Sequence, residues 1–167
     1  MNTVPKINPA AAKPVGAANI DPLEWATRVD LAACYRLVDL YGMCDLHLNH
    51  ISARVPGAHE HFLINPFGMM YEEITASSLI KIDLAGNIIA NANPDYTINL
   101  PGYVIHSAIH AARPDVACVL HTHTPAGMAV SVLDCGRTHH PPHTSSRTRY
   151  FQEPATVTKM PYPDLFI

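Results

Sequence analysis

A succession of hydrophobic periods limits what this chain can fold into. The period is helical over residues 22–41, alternating in several short runs between 50 and 90, and helical again from 99. It then becomes continuously apolar around Val119. Such an order predicts helices before and after a run of short strands. Asp21 can cap the first helix, with Pro22 in its first position and Glu24 three residues after the cap, a capping-box arrangement with Asp in the Ser/Thr role. Ala26, Val29, Ala33, Leu37 and Leu40 recur at helical spacing, with Arg28, Asp30, Arg36 and Asp39 off that line, so the first set is expected to face the core. Gly42 is the stop.

In "LHLNHISARV" the alternation changes phase, from Leu46 and Leu48 to Ile51, Ala53 and Val55. A one-residue slip would turn a continuous strand inside out, so the backbone must bend near Asn49 and His50, with a strand from about 50 to 55. "HFLIN" is a second short strand. "LIKIDL" is a third, half-buried one, and "AGN" turns the chain back into "IIA". Short turns between strands predict antiparallel pairing. Asn99 then caps a second helix, with Pro101 in its first turn, Tyr103 or Val104, Ala108 and Ala111 at helical spacing, and Pro114 past its end. "VACVLHTH" reads as a buried strand, and Thr124 and Pro125 open a further helix. Residues 1–20 read as a flexible arm and 21–135 as one domain. Residues 136–167, with five prolines in 32 residues, carry neither period. They predict an irregular tail, or a chain altered after about residue 135.

At 167 residues, 48% of them hydrophobic, the chain can bury one core. A net charge of -3 without a basic stripe argues against nucleic acid and anionic membrane surfaces as partners. No apolar run approaches the roughly 20 residues of a membrane span or forms a signal-peptide core. Cys34, Cys44, Cys118 and Cys135 have no CxxC spacing, as expected of free thiols in a cytoplasmic protein. Histidine, at 11, is the unusual count.

His121 and His123, in "VLHTHTPAG", lie one residue apart at a strand end. Side chains at i and i+2 share a face roughly 6–7 Å apart. Two imidazoles so placed can converge on one ion at about 2.0–2.1 Å, or can simply be paired or hydrogen-bonded. His106 and His110 lie four apart on the second helix, with Gly102 one turn earlier on the same line. That spacing allows chelation, but also a packed polar face. His47 and His50 sit at the bend, while His59 and His61 read as solvated. His139, His140 and His143 fall in the tail and suggest adventitious metal binding. Glu72 and Glu73 read as loop charges or helix-start residues. GxSxG, GxGxxG and phosphate-loop motifs are absent from the sequence.

"LNHISARV", "FLINPFG", "EEITASSLIKIDLAGN", "GYVIHSAIHAARPDV" and "HTHTPAGMAVS" occur in the order and spacing of the class II aldolase/adducin domain. Over about residues 22–135 the chain resembles that family, most closely its adducin-like branch. The resemblance implies an α/β fold, a three-layer α/β/α sandwich around a mainly antiparallel sheet, with the C-terminal part missing or irregular. In the family's sugar-phosphate aldolases, zinc on three histidines stabilises an enediolate, which implies His121 and His123 as zinc ligands. Where those aldolases carry two phosphate-binding serines and an acid/base glutamate, this chain has Leu100, Pro101 and Gly102. Their Gly-Asn phosphate contact falls on Asn49 and His50, and their third zinc histidine lies downstream of the matched region. His106 is therefore a candidate third ligand, and His50 or His106 a candidate for moving a proton.

The resemblance thus implies a cytoplasmic, homo-oligomeric, zinc-dependent (or other divalent-metal) lyase of aldolase or decarboxylase type. Its substrate would be a small carbonyl compound or hydroxy- or oxo-acid rather than a sugar phosphate. The alternatives are a non-catalytic, oligomerising, adducin-like cytoskeletal module and a truncated inactive product.

Overall fold

The computed structural model describes residues 20–131 and 165–166. Helix α1 spans Pro22–Leu40, followed by strands β1 (Ile51–Val55) and β2 (Ala58–Ile64). Next come a short 3-10 turn (Tyr71–Glu73), β3 (Ile80–Asp83) and β4 (Ile88–Ala90). Helix α2 (Leu100–Ala112), β5 (Cys118–Leu120), α3 (Pro125–Ser131) and β6 (Leu165–Phe166) complete the described elements. The sheet order is β4-β3-β2-β1-β5-β6. Its pairings are antiparallel except β5 with β6, which is parallel. Most of the expected arm and tail lies outside the described residues, as do His139, His140, His143 and Cys135.

The period-2 alternation of the strands sorts the core onto two faces. Ile51, Ala53, Val55 and Leu63 pack with Leu31, Ala32, Tyr35 and Val38 of α1, over Tyr71, Ile74 and Leu79. Phe62, Ile64, Ile80, Ile82 and Ile88 point to the other face and meet Tyr103 of α2. Ile109 of α2 joins Val119 of β5 and Val116 on that side. Helix, sheet, helix is the expected three-layer arrangement.

Helix α1 starts as expected: the Asp21 carboxylate accepts from the amides of Leu23 and Glu24 at 2.8 and 3.3 Å. The reciprocal half of the capping box is not made, because Glu24 is buried with Arg28 and Lys81. Arg28 Nε donates to Glu24 Oε1 at 2.9 Å and Lys81 Nζ to Oε2 at 2.7 Å. Arg28 also donates to the carbonyls of Leu79 and Ala76.

This network corrects the expected core face. Val29, Leu37 and Leu40 are 46, 51 and 76% exposed, and Ala26 and Ala33 lie on the same outward side. The inward line runs instead through Glu24, Arg28, Leu31, Tyr35 and Val38. A buried charge is tolerable when it is paired, and here Glu24 pairs with Nε while NH1 donates to the two carbonyls, leaving NH2 without a partner among the described residues. Helix α2 departs in the same way: Val104, Ala108 and Ala111 face outward, while Gly102, Tyr103, His106, Ile109 and His110 are buried.

The expected bend before β1 is a tight turn. Leu46 adopts a left-handed conformation (φ 51°), and the Asn49 side chain accepts from the Asp45 amide. Leu46 and Leu48 are exposed, whereas Asn49 and His50 are buried. The phase slip therefore marks where the chain dives from the surface into the sheet.

Candidate functional site

The register of β1 on β5 builds the site. Ile51 faces Leu120, so in an antiparallel pair the next residues outward, His50 and His121, stand opposite each other. Both follow the parity of Ser52 and Val119, toward α2. Strand β5 ends at Leu120, so His121 and His123 sit in the loop beyond it rather than on the strand as expected. They still converge, with ring centroids 5.3 Å apart. His121 lies 5.5 Å from His50 and 5.8 Å from His106 of α2, and His50 lies 5.9 Å from His106. The nearest ring nitrogens of His50, His106 and His121 all lie within 4.8 Å of one another.

Glycine at 102 makes room for this cluster. A Cβ there would come within 2.7 Å of three atoms of the His50 ring. The helix backbone and the imidazole occupy space that no other residue type would leave open.

Three of the histidines are held by partners that the sequence reading did not single out. His123 Nδ1 lies 3.0 Å from Asp45 Oδ2, on the turn before β1. His106 Nδ1 lies 2.7 Å from Ser52 Oγ, and Ser52 Oγ lies 2.9 Å from His110 Nε2. Arg54, two residues along β1, closes the chain with NH2 3.2 Å from His110 Nδ1. Its guanidinium also donates to the carbonyls of Val116, His110 and Arg113, as well as to that of His59. Ser52 and Arg54 share the His50 side of β1, at i+2 and i+4, so the strand period places them on this face once the strand is located.

Burial pushes His50 down to about 4, with His121, His123 and His47 adding to it. Burial and then His123 bring His121 to about 4. Burial, with His121, His50 and His110 behind it, holds His106 well below the ordinary histidine range. His110 is lowered to about 3, by burial and then by Arg54. At neutral pH these four rings are uncharged, the state a metal ligand requires. His50 Nε2 and His106 Nε2 are buried and have no hydrogen-bond partner among the described residues. Orphaned nitrogens on neighbouring buried imidazoles, with ring centroids 5.9 Å apart, fit a group that is bound beside them.

The remaining histidines stand apart. His47 packs edge-on against Phe67 at 5.2 Å, His59 is exposed, and His61 lies on β2. Glu73 accepts from the Met70 amide at 2.9 Å and serves as a cap for the 3-10 turn.

The family model of the class II aldolase and adducin N-terminal domain matches residues 29–164. Rat alpha-adducin is 52% identical over 116 residues, 70% of this chain and 16% of the adducin. A crystal structure of an aldolase II superfamily protein from Pseudomonas syringae aligns with TM-score 0.70 at 52% identity, over 73% of this chain and 49% of that one. L-fuculose 1-phosphate aldolase from Glaciozyma antarctica aligns with TM-score 0.64 at 33% identity, over 74% of this chain and 50% of that one. The chain spans 43% or less of the length of the first curated relatives it matches.

Proposed function

Because the chain belongs to the class II aldolase and adducin N-terminal domain family, we propose that its buried histidine cluster is the divalent-metal centre of a lyase. The carrying observation is the convergence of His50, just before β1, with His121 and His123, just beyond β5, at ring-centroid separations of 5.5 and 5.3 Å from His121, beside His106 of α2. His121 and His123 are the proposed zinc ligands, and His50, opposite His121 in register, is the nearest further lone pair. Asp45 supports the assignment of His123. A carboxylate only accepts, so Nδ1 carries the proton and Nε2 is left as a free lone pair. A divalent cation, when bound, supplies a Lewis acid for the carbonyl oxygen of a small hydroxy- or oxo-acid or carbonyl substrate, stabilising its enolate.

His50 is the group placed to move a proton if it is not a ligand: it is neutral, buried and pressed against Gly102, where no carboxylate can stand. Leu100 and Pro101 at the α2 start offer no side-chain hydroxyl to a phosphate, which favours unphosphorylated substrates. The outward apolar lines of α1 and α2 support homo-oligomerisation. Among the described residues, no helix is long and apolar enough to cross a membrane.

The test is the metal content of the purified chain beside His121→Ala/His123→Ala, by elemental analysis after loosely held ions are removed. About one zinc per chain, lost in the double variant, is expected. A chain that retains no metal overturns the reading. Gly102 favours one second reading, a non-catalytic adducin-like oligomerising module, which that same negative result would bring forward.

A further inference from the structure

We infer that His106 is not a ligand but a fixed hydrogen-bond donor, presenting a neutral Nε2–H to an oxygen of the bound substrate. The argument is a proton count along Arg54, His110, Ser52 and His106, and its functional meaning rests on the lyase reading above.

The two hydrogens of Arg54 NH2 are shared among the carbonyls of His110 and Arg113 and His110 Nδ1, and arginine has donors only, so a proton on His110 Nδ1 would face that nitrogen at 3.2 Å, donor against donor. His110 Nδ1 is therefore bare, and the ring proton sits on Nε2. From there it is donated to Ser52 Oγ at 2.9 Å. Among the described residues, the Ser52 hydroxyl hydrogen then has His106 Nδ1, at 2.7 Å, as its acceptor. That separation suits an O–H donor better than an N–H donor, whose usual distance is about 2.9–3.0 Å. Were His106 Nδ1 to donate instead, the hydrogen of a fully buried serine would be left without an acceptor among the described residues. Burying an unsatisfied donor is the costly alternative. His106 therefore keeps its proton on Nε2.

That nitrogen is left without a partner among the described residues, on a side chain 1% exposed whose ring is 5.9 Å from that of His50 and 5.8 Å from that of His121, centroid to centroid. Neither nitrogen of these rings accepts from it, His50 Nε2 being itself without a partner among the described residues. A carbonyl, carboxylate or enolate oxygen entering beside them can accept from it. The relay is rigidly anchored, since Arg54 donates to the carbonyls of His110 and Arg113 at the C-terminal end of α2 at 2.7 and 3.1 Å. A donor held in place before the substrate arrives stabilises developing negative charge without reorganisation. His123 is the counterpart: a carboxylate partner leaves its Nε2 bare for a metal, whereas a hydroxyl partner gives His106 the opposite tautomer.

The test is long-range proton–nitrogen NMR of the full chain with nitrogen-labelled histidine, metal-free, with His106 assigned through His106→Gln. The expected result is His106 protonated on Nε2 and bare on Nδ1; the reverse pattern overturns the inference. Ser52→Ala is expected to replace the single tautomer with a mixture, and an unchanged His106 in that variant overturns the relay. One equivalent of Zn2+ should shift His121 and His123 while His106 Nε2 keeps its proton. Loss of that proton would make His106 a ligand, defeating the inference while the metal reading stands. Zinc that shifts no histidine defeats the metal reading alone, and the metal-free pattern still decides the tautomer. Oxalate, as a small oxyanion probe, should move the Nε2–H resonance downfield in the wild type. Its failure to do so overturns the assignment of an oxygen at this position.

Discussion

Gly102→Ala separates the architecture of the site from the stability of the fold. The added Cβ would lie 2.7 Å from three atoms of the His50 ring, and ordinary contact begins at 3.4 Å, so the ring must retreat by about 0.7 Å. His50 is 5% exposed and its neighbours are other rings, so that retreat is resisted from behind. Overpacking of this kind costs about 1–3 kcal/mol. Replacing glycine by alanine in a helix interior returns about 1 kcal/mol, which leaves a net loss on the order of 1 kcal/mol. The site should suffer more than the fold, because metal bonds of about 2.0–2.1 Å tolerate little displacement. A fall in zinc affinity of about 10–100-fold is expected, the range typical when the support of a ligand is disturbed. Urea unfolding measures the first quantity, and zinc competition against a chromophoric chelator the second. Unchanged zinc affinity in a folded Gly102→Ala chain would refute the reasoning, since it would mean that His50 and its packing are irrelevant to the site.

Other perturbations test the framework around it. His110 is held at about 3 against an ordinary 6.5, so below pH 6.5 the unfolded chain takes up a proton that the folded ring refuses. Stability is therefore lost as pH falls from 6.5 toward 3, by about 2 kcal/mol at pH 5. Urea unfolding of His110→Gln should show a pH slope shallower by that amount, and equal slopes would contradict the burial argument. Glu24→Ala strips the counter-charge from fully buried Arg28 and should cost about 3–5 kcal/mol in chemical denaturation; a loss below 1 kcal/mol would mean that the carbonyls of Leu79 and Ala76 suffice. Val29→Glu/Leu37→Glu changes only the outward line of α1, so the fold should keep its stability within about 0.5 kcal/mol per site. Light scattering should show a smaller assembly, and an unchanged mass would remove α1 from the subunit contact.

The strands and their antiparallel pairing were legible because the alternation of Ile80, Ile82 and Leu84, or of Ile51, Ala53 and Val55, admits only one face per residue once neighbours pair. The helices misled for a physical reason. Counting apolar residues assumes that the core rejects charge, yet α1 buries Glu24 and Arg28 and turns Val29 and Leu37 outward. Nothing in the local pattern distinguishes those two lines, because the deciding partners, Lys81 and the carbonyls of Ala76 and Leu79, lie some fifty residues away. An apolar line that faces outward on both helices is itself informative, since it marks surface that the described fold leaves uncovered.

The site was legible in its residue types but not in their chemical states. Spacing flagged the pairs His121/His123 and His106/His110, the resemblance then picked out His106, and the phase slip marked the neighbourhood of His50. Spacing cannot say which imidazole nitrogen bears the proton, and that decides whether a histidine donates a lone pair or a hydrogen. Asp45 and Ser52 decide it, and neither belongs to a recognisable motif with its histidine: Asp45 lies 78 residues from His123 and Ser52 lies 54 from His106. Gly102 is the same kind of case. In the sequence it reads as a lost side chain, whereas in the structure it is the clearance that lets His50 reach the cluster. The missing side chain at 102 and the imidazole at 50 therefore depend on one another sterically. Restoring the carboxylate with Gly102→Glu should displace His50 unless His50 is shortened as well.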